Sequence, residues 1–253
     1  MRKGCLMCNA SDKREVLAHA NHPGEGSRTS CQGLLSGARA PTRPKVLFVG
    51  PHPDDIEIGA GCSVSIYAER GFDVQCIYLT KGERGGDPDV RVKESTEACA
   101  LLGVPCDHVF FGDFEDTRVP DSFDTVNFLE QFCDERTWAV FVSSPDEAHQ
   151  DHRHTALCSM AAYRNVRRLL AYETPSTTAG FLPTAFVDVT GYIRRKWQAL
   201  RCHRSQLAKC RTYLEYRSMR GLAGFRGRQA GVRFAEAFQT IRFVIDPSWQ
   251  MGP

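Results

Sequence analysis

The segment Val46-Leu47-Phe48-Val49-Gly50-Pro51-His52-Pro53-Asp54-Asp55-Ile56-Glu57 constrains this chain more than any other. Its first four residues form a continuous apolar run, the pattern of a strand buried on both faces of a parallel sheet. The run stops at Gly50-Pro51, and the elbow that follows holds one imidazole and three carboxylates by Glu57. From there to about Arg70 the sequence has helical character. Open α/β sheets place their chemistry just beyond the carboxyl ends of such strands. His52 and Asp55 stand three apart, so one turn at the helix start can aim both at one point. An unprotonated imidazole nitrogen and a carboxylate are both ligands for a borderline metal such as zinc. Asp54, between them, is left free to handle a proton. Taken alone, Asp-Asp before a helix is also an ordinary N-cap, because carboxylates favour the positive end of the helix dipole. A second cluster, His149-Gln150-Asp151-His152, favours the metal: it too follows an apolar run, at 138–142, and a turn.

The alternation continues along the chain. Strands are expected at 46–49, 74–79, 109–111, 138–142, 169–173, 185–189 and 240–245, and helices near 55–69, 90–102, 124–135, 152–164 and 192–210. Strands separated by such helices argue for right-handed βαβ units. The expected fold class is α/β: a Rossmann-like three-layer domain with a mostly parallel sheet and the metal site at the C-terminal ends of the strands. Arg217, Arg220, Arg226, Arg228 and Arg233 lie in a stretch interrupted by glycines between Gly221 and Gly231. It reads as a flexible surface loop, or as a lid over a sugar or an oligomer contact, and a homo-oligomer is left open.

With 253 residues the chain suits one sizeable domain. We assign it to 44–253 and read 1–43, rich in Ser, Gly, Ala and Arg, as a disordered N-terminal extension. Cys5-x-x-Cys8, His19, His22 and Cys31 invite a zinc-knuckle reading there, but few apolar neighbours could form its core. A formal charge of +2 offers no footprint for nucleic acid. No apolar run approaches a membrane span, and no secretory h-region follows Met1. The eleven cysteines are scattered and odd in number, and most read as reduced, small buried hydrophobes of a cytoplasmic protein. The first turn lacks the dinucleotide glycine spacing and is acidic where a pyrophosphate would sit. No Gly-x-Ser-x-Gly elbow is present.

The segment 51–57, followed about a hundred residues later by His149-x-Asp151-His152, resembles the PIG-L/LmbE-like zinc-dependent N-acetylglucosaminyl deacetylase family. The likeness covers roughly 45–245. It includes Thr80-x-Gly82-Glu83-x-Gly85, Arg91-x-x-Glu94, Glu173-Thr174-Pro175-Ser176, His203-x-Ser205-Gln206 and Ala235-Glu236-Ala237-Phe238. It implies that His52, Asp55 and His152 bind Zn2+ and that Asp54 is the general base. It further implies that His149 faces the substrate carbonyl with Asp151 behind it, and that Arg91 and Asp116 contact sugar hydroxyls. The implied activity removes the N-acetyl group from a small-molecule amino sugar, an N-acetylglucosamine-type sugar or glycoconjugate. Two alternatives share the scaffold: a non-catalytic metal- or sugar-binding protein, and an amidase acting on a thiol-sugar conjugate.

The residue chemistry is compatible with that activity. Three protein ligands leave a position for water, whose pKa a bound zinc lowers to about 7. Asp54 is placed to take the water's proton and pass it to the leaving amine. His149, oriented by Asp151, is the candidate to stabilise the oxyanion. Glu57 fixes the elbow by hydrogen bonding or supports a ligand imidazole. Without the resemblance, Arg91 reads as an ion-pair partner of Glu94 one turn on. His203 reads as structural or as the site's far wall, and His154 as a surface residue.

Overall fold

A computed structural model describes residues 43–245. The extension and the zinc-knuckle reading fall on 1–43 and so, but for Arg43, lie outside the described residues. The first half contains β1 (Lys45–Gly50), α1 (Asp55–Glu69), β2 (Asp73–Tyr78), α2 (Pro88–Leu102), β3 (Val109–Phe111), α3 (Phe123–Glu130) and β4 (Thr137–Ser143). The second contains α4 (Gln150–Ala162), β5 (Arg168–Tyr172), β6 (Ala185–Asp188), α5 (Ile193–Leu200), α6 (Arg204–Leu207), α7 (Tyr216–Ala230) and β7 (Ala235–Phe243).

β1 is apolar on both faces because helices cover both faces. Val46 and Phe48 pack into one layer with Ile56, Ala60 and Val64 of α1 and Leu102 of α2. Leu47 and Val49 pack into the other with Leu129 of α3 and Cys158 and Ala162 of α4. The strand order is β3-β2-β1-β4-β5-β7-β6. β1 to β5 pair in parallel, and β7 runs antiparallel between β5 and β6. From β1 the chain first winds one way, to β2 and β3, then returns to lay β4 on the other side. The resulting switch point between β1 and β4 opens a crevice at the strands' carboxyl ends. Both His/Asp clusters follow those two strands.

α3 ends at Glu130, short of the expected 135, and three further elements depart from expectation. The helix expected at 192–210 is two, α5 and α6, because His203 leaves helical geometry (φ −76°, ψ 57°) and turns its ring inward to Glu57. The arginine- and glycine-rich stretch is a helix, α7, rather than a loop. Gly227 shows why glycine belongs there: a Cβ would stand 2.7 Å from the backbone of Arg233, so the helix can fold against the chain that follows it only with a bare Cα. β7 begins at Ala235, five residues before the alternation suggested. Glu236 masked its start, and this acid is buried because it serves α1. At Ala60 (φ −137°, ψ 15°) α1 breaks, freeing N–H groups that a continuous helix would use. Glu236 accepts from the backbone of Cys62 and Ser63 at 2.9 and 2.8 Å and pairs with Lys196 at 2.7 Å.

Candidate active site

Asp54 heads α1 but does not cap it: its side chain makes no capping hydrogen bond, and its backbone sits at φ 114°. A non-glycine residue in that region costs on the order of 1–3 kcal/mol and marks a functional constraint. The turn aims Asp54 and Asp55 in different directions. Asp55 Oδ2 lies 3.0 Å from Nδ1 of His52 and 3.3 Å from Nε2 of His152. Four ligands at about 2.0–2.1 Å from a tetrahedral zinc stand roughly 3.3 Å from one another, so these three atoms have the spacing of a metal's ligand set. His52, Asp55 and His152 all present ligand atoms within 4.8 Å of one another, and all three are buried. His52, His149 and Asp151 also present ligand atoms within 4.8 Å of one another. Asp151's oxygens are already engaged, however, accepting N–H bonds from Thr117 at 2.7 Å and Val119 at 3.2 Å.

The shell behind the triad differs from expectation. Asp151 lies behind His52, not His149: its Oδ2 is 3.0 Å from His52 Nε2, because the Thr117 and Val119 amides turn the carboxylate that way. Asp116 joins it at 3.1 Å from the same nitrogen, while its other oxygen accepts the Arg84 N–H. Burial disfavours a charged His52, but hydrogen bonds to Asp116, Asp151 and Asp55 outweigh it and raise its pKa well above the usual value. Asp55 shows the converse: burial pushes the acid up, but His152 and His52 hold it well below the usual carboxylate range. Glu147, which the sequence reading missed, stands 3.8 Å from His152 Nδ1 and gathers the hydroxyls of Thr174, Ser176 and Thr177. Its only local signal was the Thr174-Pro175-Ser176 segment that binds it.

Arg91 holds the elbow from inside. One Nη donates to the Pro53 carbonyl, the other to that of Gly82 at 3.1 Å, and the guanidinium stands 3.3 Å from Asp54. The glycine-rich turn after β2 leaves room for it, since a Cβ at Gly82 or Gly85 would fall within 2.3 Å of Arg91 Nη1. Glu94 bonds Ser205 instead, so it is not Arg91's partner. Burial raises the Asp54 carboxyl to about 6 even though Arg91 pulls it down. Glu57 accepts from Tyr78, Ser95 and His203, which makes His203 a buried structural residue rather than a wall of the cavity. His154 points away, to the Val119 carbonyl.

His149 caps α4, its Nδ1 accepting the Asp151 N–H at 3.2 Å. Burial and the neighbouring charges of His52 and His152 lower its pKa below the usual value. A neutral ring whose Nδ1 accepts carries its proton on Nε2. These groups line a cavity of about 320 Å³ in which His52, Asp54, Asp55, His149 and His152 meet. Arg91 and Asp116 also reach its wall.

Two His/Asp strand ends thus converge on one crevice of a parallel sheet, the arrangement of a metal-dependent hydrolase site. The family model described as GlcNAc-PI de-N-acetylase, PIG-L, matches residues 47–163. A protein of Escherichia coli (strain K12) described as uncharacterized deacetylase YaiS is 35% identical over 181 residues, 68% of this chain and 96% of that one. Diacetylchitobiose deacetylase of Thermococcus kodakarensis is 32% identical over 226 residues, covering 79% of this chain and 83% of its own. The solved structure of N,N'-diacetylchitobiose deacetylase from Pyrococcus horikoshii superposes with a TM-score of 0.68 at 25% identity, over 82% of this chain and 88% of that one. The chain belongs to the PIG-L family and, with it, to the N-deacetylase hydrolases.

Proposed function

We propose that this protein removes the acetyl group from an N-acetylglucosamine-type sugar or glycoconjugate, with zinc held by His52, Asp55 and His152. The observation that carries the reading is the ligand triad at the floor of an open cavity with an unligated acid, Asp54, beside it. Zinc bound there supplies Lewis acidity and makes water a nucleophile near neutral pH. Asp116 and Asp151 hold His52 by its second nitrogen and fix the ring's orientation, the role outer carboxylates play at histidine metal sites.

Asp54 is the general base. Burial pushes its carboxyl up to about 6 in the metal-free chain, so it is ionised at neutral pH and more basic than a free carboxylate, suited to take a proton from water and return it to the leaving amine. Arg91 aims that carboxylate by clamping the Pro53 carbonyl next to it. His149, neutral and protonated on Nε2, donates to the carbonyl oxygen as negative charge grows there. Arg91 thus positions the base rather than a sugar hydroxyl, and Asp116 steadies a ligand imidazole. We place the protein in the cytoplasm, where its buried thiols stay reduced. No helix among the described residues is long and apolar enough to cross a membrane.

The test is acetate release from N-acetylglucosamine and N,N'-diacetylchitobiose by zinc-loaded protein. Release is expected to stop on chelation, return with zinc, and be lost in Asp54→Ala that still binds metal. Full activity in that variant would remove Asp54 as the base, and no release from any N-acetyl sugar would remove the deacetylase reading.

A further inference from the structure

Three arginines line the catalytic cavity, and two have acidic partners. Arg84 Nη2 donates to Glu115 at 2.7 Å, and Arg91 stands 3.3 Å from Asp54. Arg211 has no carboxylate partner among the described residues. Its Nη1 donates instead to the Tyr213 hydroxyl at 2.5 Å, with the guanidinium carbon 5.8 Å from that ring's centroid.

The pairing leaves donors facing the cavity. The phenol oxygen accepts from Arg211, so its own O–H is free to donate outward, and the guanidinium offers its remaining N–H groups. Asp54 and Asp55 favour the charged guanidinium, but their contact partners are Arg91 for the one and His52 and His152 for the other. The segment that presents the pair is anchored. Lys209 and Gln206 both donate to the Gly85 carbonyl, at 2.5 and 2.9 Å, and Leu214 is fully buried. Cys210, immediately before Arg211, takes up φ 52°, a left-handed conformation that a non-glycine residue adopts only where its surroundings hold it. The chain turns sharply there and sends Arg211 to the cavity wall.

A planar, half-buried guanidinium beside a phenol donor is suited to a group that only accepts. Its fork matches phosphate and carboxylate oxygens, and partial desolvation strengthens the contact. We propose that Arg211 and Tyr213 bind an anionic group on the substrate, so that the preferred substrate is an N-acetylated amino sugar bearing a phosphate or carboxylate near the ring. This rests on the deacetylase reading and narrows it.

The test compares kcat/KM of the zinc-loaded enzyme on N-acetylglucosamine, its 1-phosphate, its 6-phosphate and N-acetylmuramic acid. At least one anionic sugar is expected to exceed the neutral one by about 10- to 100-fold, the range of a charge-assisted hydrogen bond. Which one does so separates phosphate from carboxylate and locates the group on the ring. Arg211→Gln should bring the anionic-to-neutral ratio close to one, and Arg211→Lys should keep part of it, since the charge remains and the fork does not. Tyr213→Phe should fall between. Calorimetric affinities of the zinc-loaded protein for glucosamine and its phosphates read the same ratio without turnover, so the outcome does not depend on acetate release. A wild-type ratio of one or less in both assays overturns the proposal. So does an Arg211→Gln variant in which neutral and anionic sugars weaken alike, since the guanidinium would then merely balance the cavity's acids.

Discussion

Asp151 Oδ2 stands 3.0 Å from Nε2 of His52, across 99 residues of sequence, and ties the second His/Asp cluster to the first through a ligand ring. The contact separates two roles for this acid. If Asp151 orients His52, Asp151→Asn weakens zinc binding by about 10- to 100-fold, as losing such an outer carboxylate does. Competition with a chelator reads that change. If it served His149 instead, kcat would fall while metal affinity held, so unchanged affinity in the variant refutes the assignment.

Asp54 couples stability to function. Its folded-state pKa of about 6 lies above the ordinary 3.8, so the fold favours the protonated acid. That stabilisation is complete below about pH 4 and lost as pH rises through 6. At pH 7 the buried, strained carboxylate is a net cost of up to about 3 kcal/mol, at 1.36 kcal/mol per unit. Metal-free Asp54→Asn is therefore expected to unfold at a higher temperature than wild type at pH 7, with the gap closing at pH 4. A gap that does not change between the two pH values contradicts the burial argument.

As the proposed base, the same group would set the acid limb of catalysis. A base works only when ionised, so kcat/KM should fall about tenfold per unit once pH drops below the carboxyl's pKa, about 6 without metal and lower with zinc beside it. A profile flat down to pH 4.5 would assign the proton to another group.

What was legible in the sequence was local. The apolar run of β1 is visible because both its faces are buried, and His52 and Asp55 because three residues return the chain to the same face. Glu147 and Glu236 were not legible as partners, since each meets groups far along the chain. Asp151 was misassigned because two amides of another loop turn its carboxylate toward the neighbouring ring. α7 was misread because glycine signals a break, whereas Gly227 is there to let two backbones touch.

Glu236 offers a test of the break in α1. Its carboxylate caps the helix after Ala60 and neutralises Lys196, whose side chain is 7% exposed. Glu236→Gln leaves that ammonium buried without its partner, which typically costs about 3–5 kcal/mol. Urea unfolding should show the loss as a lower midpoint at unchanged slope. Lys196→Met in the same chain should recover much of it, and a double variant no more stable than the single one would show that the pair is not coupled.

His149 lines the same cavity as Asp54, and its tautomer decides what it can do. The Asp151 N–H occupies Nδ1, so in the neutral ring only Nε2–H is available to a ligand. Its lowered pKa keeps the ring neutral at pH 7, which favours a hydrogen-bond donor to the developing oxyanion over a charged acid. His149→Ala should then lower kcat by about 100- to 1000-fold, the cost of one such donor, while zinc content stays at one per chain. His149→Gln can still present an N–H and should retain part of the rate. Equal losses in the two variants would mean that the ring's shape, not its donated proton, serves catalysis, and a loss of zinc in both would instead make His149 a ligand.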